Sequence, residues 1–416
     1  MKLVLAGEYG TTNLGDQGML AVLRERMSEL TEPEITVLSR DPSREYEELY
    51  RVRTLPDLFG QDDTDTRGRW FHGFNRGDSR EHLVEISDAI READWLVLGG
   101  GRMFFDHAGN FMHGRLSAYA QLVSLAHFLD TPVMLFGMTV ASETSRIARD
   151  YLRFIAEGAD ILTVREIQSR ENLIELGLES DSVHVLPDPT LGLPYLQDDV
   201  EYGHRSGAAW LGEAQELLRG LEFNPEKRVI AVNVRSYAWR DGIEGQERTE
   251  KVLAELLDRT VRETGAEVLF IPQMTSDSSK PEELDDRRMS RRVIELMEES
   301  KSCFVAEKEL NIWQALSLYR QCSLLLSMRR HGITFALTQR VPVLAIAVDD
   351  NIEFLTSSLG IPQNSIRLVP NRVGQIVEQI EAELEKGVEE HSTLFAHVSD
   401  CAARTRVYAE LLTDRG

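Results

Sequence analysis

With 416 residues, the chain is longer than one hydrophobic core comfortably serves, so two domains are expected. Its 46 basic and 69 acidic residues give a net charge of −23, which argues against nucleic acid, a partner that rewards basic surfaces. No run approaches the roughly 20 apolar residues of a membrane span, and Cys303, Cys322 and Cys401 have neither metal-ligand spacing nor a disulfide framework, so buried thiols in a cytoplasmic protein are expected.

The opening Met1-Lys2-Leu3-Val4-Leu5-Ala6-Gly7 runs at once into Glu8-Tyr9-Gly10 with no small-residue cleavage site, so it reads as a first strand and not as a signal peptide. Apolar runs at 3–6, 34–38, 95–98, 133–136, 161–164 and 183–186 are expected strands. Helical patterns fall between them at 17–30, 83–92, 116–129, 144–157 and 167–176. Such alternation builds a parallel sheet covered on both faces. Residues 196–226 interrupt it with an acidic, glycine-containing stretch, expected to connect a domain at 1–195 with one at 227–392. In the second domain the expected strands are 229–234, 268–271, 303–305, 323–327 and 343–346, with helices at 252–261, 291–297, 312–319, 352–359 and 373–384. The spacing of Val252, Leu253, Leu256, Leu257 and Val261 fits a 3.6-residue period. A C-terminal helix over about 393–412 closes the chain, in a last segment 393–416. The polar stretches 40–80 and 275–288 read as long loops, a class that is often mobile or functional. The fold class is α/β, with two doubly wound domains facing a cleft.

Gly7-Glu8-Tyr9-Gly10-Thr11-Thr12-Asn13-Leu14-Gly15-Asp16 follows the first strand and opens a helix. Glycines there allow positive φ and close backbone approach, and a helix N-terminus attracts anions. The spacing is not that of a dinucleotide fingerprint, and no Walker A sequence occurs. A tight turn with Asn13 or Asp16 capping the helix explains the same residues. Gly99-Gly100-Gly101-Arg102 continues to Asp106, His107 and His113. Its glycines suit backbone brought against a ligand or a neighbouring domain, or close helix–sheet packing. Asp106 is a candidate general base or a loop cap. His107 and His113 lack an accompanying acidic cluster, so no metal is expected.

Ser327-Met328-Arg329-Arg330-His331-Gly332 concentrates positive charge in an acidic chain. It follows the apolar run 324–326, at the carboxyl end of a buried strand, where open α/β sheets bind ligands. A small anion bearing phosphate and carboxylate accounts for it most simply. Asn233-Val234-Arg235-Ser236 closes the first strand of the second domain. Arg235 would face the same ligand if the two strands are parallel neighbours, and a guanidinium pairs with carboxylate and phosphate alike. An exposed structural arginine is the competing reading. Pro272-Gln273 also follows a strand and could line the site, while Asp188-Pro189-Thr190 most simply ends the first domain's last strand.

Together these landmarks resemble the polysaccharide pyruvyl transferase family. The resemblance rests on Gly10-Thr11-Thr12-Asn13-Leu14-Gly15-Asp16, Gly99-Gly100-Gly101 with Asp106, Asp188-Pro189, Asn233-Val234-Arg235, Arg329-Arg330-His331-Gly332 and Val341-Pro342-Val343-Leu344-Ala345-Ile346. It spans residues 7 to about 362 in the family's order, and the first glycine motif and the Arg-x-His-Gly motif are the specific ones. It implies two Rossmann-like domains in a GT-B-like arrangement, the first on the acceptor side and the second on the phosphoenolpyruvate side. The implied reaction moves a carboxyethylidene (pyruvyl ketal) group from phosphoenolpyruvate to two hydroxyls of a sugar, on a polysaccharide or its lipid-linked precursor, for the cell envelope or exopolysaccharide. Arg329, His331 and Arg235 map to donor-binding positions. Arg330, Gly332, Asn13, Gly15, Gly99, Gly100 and Gly101 complete the substrate-binding set. Two departures stand out: Arg102-Met103-Phe104-Phe105 replaces a fourth glycine and aliphatic residues, and Arg330 stands where leucine is common.

In this chemistry His331 is the candidate general acid, since histidine titrates near neutrality and sits beside the anion site. Neighbouring arginines would lower its pKa and bound phosphate would raise it. Asp16 or Asp106 would take the hydroxyl protons, and no cofactor is required beyond phosphoenolpyruvate as co-substrate. Two alternatives stand beside it: a nucleotide-sugar-dependent GT-B glycosyltransferase, because fold does not fix chemistry, and a noncatalytic carbohydrate-binding or assembly protein. The expected location is cytoplasmic, with contact at the inner face of a membrane carrying lipid-linked acceptors left open, as is the oligomeric state.

Overall fold

In the computed structural model, which describes residues 1–39, 42–58, 78–99, 115–140, 145–276, 285–387 and 389–414, the apolar runs pair into two parallel sheets. The first contains β1 (Lys2–Ala6), β2 (Glu34–Ser39), β3 (Arg53–Pro56), β4 (Trp95–Gly99), β5 (Val133–Met138), β6 (Ile161–Val164) and β7 (Val183–Val185). Their order is β3-β2-β1-β4-β5-β6-β7. Every residue of β4 and β5 is buried, as strands covered by helices on both faces require. The chain winds outward from β1 to β3, then returns to β4 on the other side of β1. That reversal puts a topological switch point between the carboxyl ends of β1 and β4.

The stretch 40–80, expected as a loop, contains the helix Arg44–Tyr50 and β3. Ser43 caps the helix, its hydroxyl accepting from the Tyr46 amide at 3.2 Å. Glu47 then accepts from the Thr54 amide and hydroxyl at 2.7 and 2.8 Å, tying the helix to the strand. Both elements are mostly polar because β3 is an edge strand with only Leu55 buried, so no apolar period advertises them.

Contacts within the chain divide it into two units: 1–11, 16–192 and 401–416 form the first, and 12–15 with 193–400 form the second. The 196–226 stretch, expected to link domains, folds within the second unit. It makes the hairpin β8 (Glu201–Tyr202) and β9 (Arg205–Ser206), then the helix Gly207–Gly220. Trp210 is buried and donates its indole N–H to the Tyr202 carbonyl at 3.0 Å. Glu213 accepts from Arg205 and Gln314, each at 2.6 Å. The acidic composition reflects a mostly exposed helix face over one buried aromatic anchor.

The second unit's main sheet contains β10 (Val229–Asn233), β11 (Glu267–Phe270), β12 (Cys303–Val305), β13 (Leu324–Ser327), β14 (Val343–Ile346) and β15 (Ser365–Ile366). Its order, β12-β11-β10-β13-β14-β15, repeats the reversal and sets a second switch point between β10 and β13. The helix expected over 252–261 is part of a longer span, Ala238–Thr264, in which two helical stretches meet at a kink at Gly242, whose φ of 71° glycine adopts without a Cβ penalty. The thiols of Cys303 and Cys322 are buried, and burial pushes each up to about 12, so both are packing residues.

The expected C-terminal helix is two, Ser392–Arg404 and Val407–Thr413. The break falls at Thr405, which is fully buried; its hydroxyl bonds back to the Ala402 carbonyl at 2.6 Å and accepts from Arg26 at 3.1 Å. Side-chain bonds of this kind compete with the helix ladder. From Cys401 on, the chain packs with the first unit: Tyr408 donates to the Pro187 carbonyl at 2.9 Å, and Trp95 donates to the Leu412 carbonyl at 3.0 Å. Among the described residues, no helix is long and apolar enough to cross a membrane.

Candidate functional site

The Arg329–Gly332 motif sits at the switch point of the second unit. β10 and β13 are parallel neighbours, with Asn233 opposite Ser327, so Arg235 and Arg329 each lie two residues beyond that pair. Arg329 is extended and forms the N-cap of the helix Arg330–Thr338, whose first turn is Arg330, His331 and Gly332. The helix therefore begins three residues before its first apolar residue, Ile333. The partial positive charge at a helix N-terminus adds to the cationic side chains.

A closed run of polar contacts fixes these strand ends. Asn233, fully buried, donates to the Ile271 carbonyl at 2.7 Å, and its Oδ1 accepts from Tyr319 and Ser327, both at 3.0 Å. Ser327 Oγ accepts from the Arg329 amide at 3.0 Å. Arg329 Nη2 pairs with Asp286 Oδ1, while Asp286 Oδ2 accepts from the Gln273 and Met274 amides at 3.0 and 3.1 Å. Gln273 Nε2 closes the circuit, donating to Tyr319 at 2.6 Å. Burial pushes the Tyr319 phenol well up, so it stays protonated and can donate to Asn233. Burial also pushes the Asp286 carboxyl up, against the pull of Arg329 and the two amides.

Two glycines are required by close approach. A Cβ on Gly332 would collide with Asn233 Oδ1 and lie 2.9 Å from Ser327 Oγ. A Cβ on Gly15 would collide with His331 Nδ1. Gly15 belongs to the short segment 12–15 that packs with the second unit, where Leu14 donates its amide to the Gln273 carbonyl at 3.0 Å and Thr12 donates to the Thr275 carbonyl. Asn13 accepts from the Gly15 amide at 3.0 Å, so it supports the turn at the start of helix Leu14–Ser28. Gly15→Ala is expected to displace the imidazole and lower any His331-dependent activity roughly tenfold or more, with the melting temperature little changed. Wild-type activity in the folded variant would show that the imidazole is free to sit elsewhere.

The cations fare differently from one another. Arg329 is committed to Asp286, its side chain 14% exposed and its Nε 3.4 Å from the Val234 carbonyl. Arg330 reaches back to the Asn351 carbonyl at 3.2 Å, at the start of helix Asp350–Ser358. Arg235 is half-buried over the Tyr237 ring, 5.2 Å from its centre, and has no ion pair with any described carboxylate. His331 is half-buried and stacks on Phe335, with ring centres 6.1 Å apart.

In the first unit, Asp16 is buried on the opening helix; burial pushes the Tyr9 phenol well up, and the nearby Asp16 carboxylate adds to that. Gly7 and Gly99 face each other at that unit's switch point. A Cβ on Gly7 would collide with the Gly99 carbonyl, and one on Gly99 would lie 2.9 Å from Phe136. Gly99 is thus explained by strand packing. Gly100, Gly101, Asp106, His107 and His113 lie outside the described residues. Asp188 is buried at the end of the same sheet and pairs with Arg165 at 3.1 Å, while accepting from Thr190.

Sequence reasoning missed Asp286 and Tyr319, quoted Ser327 only as the first residue of the cationic motif, and named Gln273 only as a residue that could line the site. Asp285-Asp286 before an amphipathic segment carried the one available signal, that of a helix start. Nothing local told that Asp285 would cap the helix and pair with nearby Arg287 while Asp286 holds the distant Arg329.

A family model described as polysaccharide pyruvyl transferase matches residues 13–350. No curated protein sequence matches the chain. Among solved structures, the chain is similar to Anabaena Alr3699/HepE in complex with UDP-glucose, at 11% identity and a TM-score of 0.60, covering 100% of this chain and 98% of that one. It is similar too to a UDP-GlcNAc 2-epimerase from Neisseria meningitidis bound to UDP-GlcNAc, at 11% identity and a TM-score of 0.59, covering all of both chains. A third is the S. aureus MnaA–UDP structure, at 14% identity and a TM-score of 0.57, covering 100% and 95%. At such identities the likeness is one of fold, and that fold is GT-B-like with two Rossmann-like sheets.

Proposed function

The chain belongs to the polysaccharide pyruvyl transferase family, and from that membership we propose that it transfers the carboxyethylidene group of phosphoenolpyruvate to two hydroxyls of a sugar. The observation that carries the reading is Arg235. At a switch point, where open α/β sheets take ligands, it is a cation without a described carboxylate partner, following the strand next to the one that leads into the helix N-terminus carrying His331. Phosphoenolpyruvate, a compact anion with both phosphate and carboxylate, suits that combination.

In this mechanism His331 gives a proton to the vinyl carbon, which becomes a methyl group, and the adjacent carbon gains oxocarbenium character. One sugar hydroxyl adds there; the second displaces phosphate and closes the ketal. Of the two hydroxyl protons, one restores His331 and the other leaves with phosphate. Asp16 or Asp106 is the proposed base that takes a hydroxyl proton and relays it to these acceptors, with Asn13, Gly15, Gly100 and Gly101 on the substrate-binding surface. No cofactor beyond the donor enters this scheme.

The direct test is incubation with phosphoenolpyruvate and a panel of lipid-linked or nucleotide-linked sugars, following phosphate release together with a mass gain on the sugar. Release of nucleoside diphosphate from nucleotide sugars, with no phosphate from phosphoenolpyruvate, would replace this reading with glycosyl transfer. Arg235→Ala is expected to raise the KM for phosphoenolpyruvate roughly 10- to 100-fold, the worth of one charged hydrogen-bonding group. An unchanged saturation curve would remove Arg235 from the donor site.

A further inference from the structure

We infer that Asp286 is a positioning residue for the donor site, acting through Arg329 and resting on the proposed phosphoenolpyruvate reading. The family-type motif presents Arg329 as a free cation for an anion, yet one edge of its guanidinium is held by a carboxylate 2% exposed. Asp286 has every feature of an orienting group. Its other oxygen takes two backbone amides, Gln273 and Met274, and its own amide donates to the Met274 carbonyl at 3.0 Å. One side chain therefore locks the carboxyl end of β11 to the turn after β13, across β10.

The consequence is a division of labour between the arginines. The Asp286–Arg329 pair is close to neutral as a unit, so Arg329 presents an oriented guanidinium edge more than a net charge. The attraction for a polyanionic donor falls chiefly on Arg235 and the helix N-terminus. A buried charge pair also leaves a strong asymmetry: removing one member strands the other, while removing both leaves no uncompensated charge. Arginine fits this role because its planar fork can hold a carboxylate on one edge and still donate from the other.

The test is a double-mutant cycle with Asp286→Asn, Arg329→Gln and the combined variant in the full-length protein. Turnover of phosphoenolpyruvate is measured with the best acceptor found, normalised to the folded fraction from circular dichroism, alongside the melting temperature of all four proteins. Each single variant is expected to lose turnover 10- to 100-fold. The combined variant should lose no more than the worse single one, with the two shifts in melting temperature likewise less than additive. Losses that multiply, or wild-type turnover in Asp286→Asn, would overturn the assignment. Should Asp286→Asn fail to fold, the combined variant still folds on this reading, and its failure as well would reject it. If the wild-type protein consumes no phosphoenolpyruvate, the functional reading fails by itself. The melting cycle then decides the pairing alone, with additive shifts rejecting it.

Discussion

His331→Ala is expected to leave the protein folded and to lower turnover of phosphoenolpyruvate by roughly 10²–10⁴-fold, the usual worth of a positioned general acid. The fold should survive because His331 is only half-buried and Phe335, on which its ring stacks, keeps its own place in the helix. The chemistry should not survive, because protonating the vinyl carbon needs a donor fixed over it. Two features fix the imidazole: Gly15 on one side, where a methyl group could not fit, and the first turn of helix Arg330–Thr338 on the other. His331→Gln makes the sharper companion, since it preserves bulk and hydrogen bonding but offers no titratable group near neutrality. Steady-state kinetics on both variants, with circular dichroism as the control, settles the role. Near-normal turnover in a folded His331→Ala protein would take the acid away from this residue.

Gly332→Ala is expected to lower stability by about 2–4 kcal/mol, combining overpacking with a broken buried hydrogen bond. Helix propensity alone predicts the opposite sign, since alanine is favoured over glycine in a helix by about 1 kcal/mol. The tertiary term wins because the added methyl would have to occupy the place of Asn233 Oδ1. Moving Asn233 gives up its bonds from Tyr319 and Ser327 in a site without solvent to replace them. Moving the helix instead carries His331 away from the 12–15 segment. Denaturant titration gives the answer through the midpoint, provided the slope is unchanged. A midpoint equal to or above wild type would mean that the strand ends are looser than this packing requires.

The two outcomes share a cause. The Arg-x-His-Gly turn is built by long-range polar contacts, so its glycine, its histidine and its arginine each depend on a different distant partner. Local rules speak for each residue separately and, for Gly332, with the wrong sign.

Legibility followed the apolar runs. β1, β4, β10, β13 and β14 were readable within one residue at each end because strands covered on both faces must be continuous apolar runs. β3 and the helix before it were not, since an edge strand with one buried side chain leaves no period to detect. The split of the C-terminal helix was hidden for another reason. Thr405 is an ordinary helix residue until Arg26 and the Gly192 turn crowd it.

In the site, Arg235, Arg329 and His331 were legible as charge following strands, which is local. Arg329's commitment to Asp286, 43 residues away, was not. For Gly99 the sequence left ligand approach and close packing both open, and contact with Phe136 supplies the packing reason.

By itself, the sequence determined two series of buried parallel strands, the address of a cationic turn at a strand's carboxyl end, and the family to which those motifs point. These follow from the alternation of apolar runs with helical periods and from residues adjacent in the chain, which is the range over which periodicity and motif spacing carry information. Only the tertiary structure decided which strand ends become neighbours. The sheet order β12-β11-β10-β13-β14-β15 is not the order of the chain, and it is what brings Asn233, Gln273, Asp286, Tyr319 and Arg329 into one hydrogen-bonded circuit. Buried polar groups must find partners somewhere, and that demand chooses partners by proximity in space, which no local pattern records.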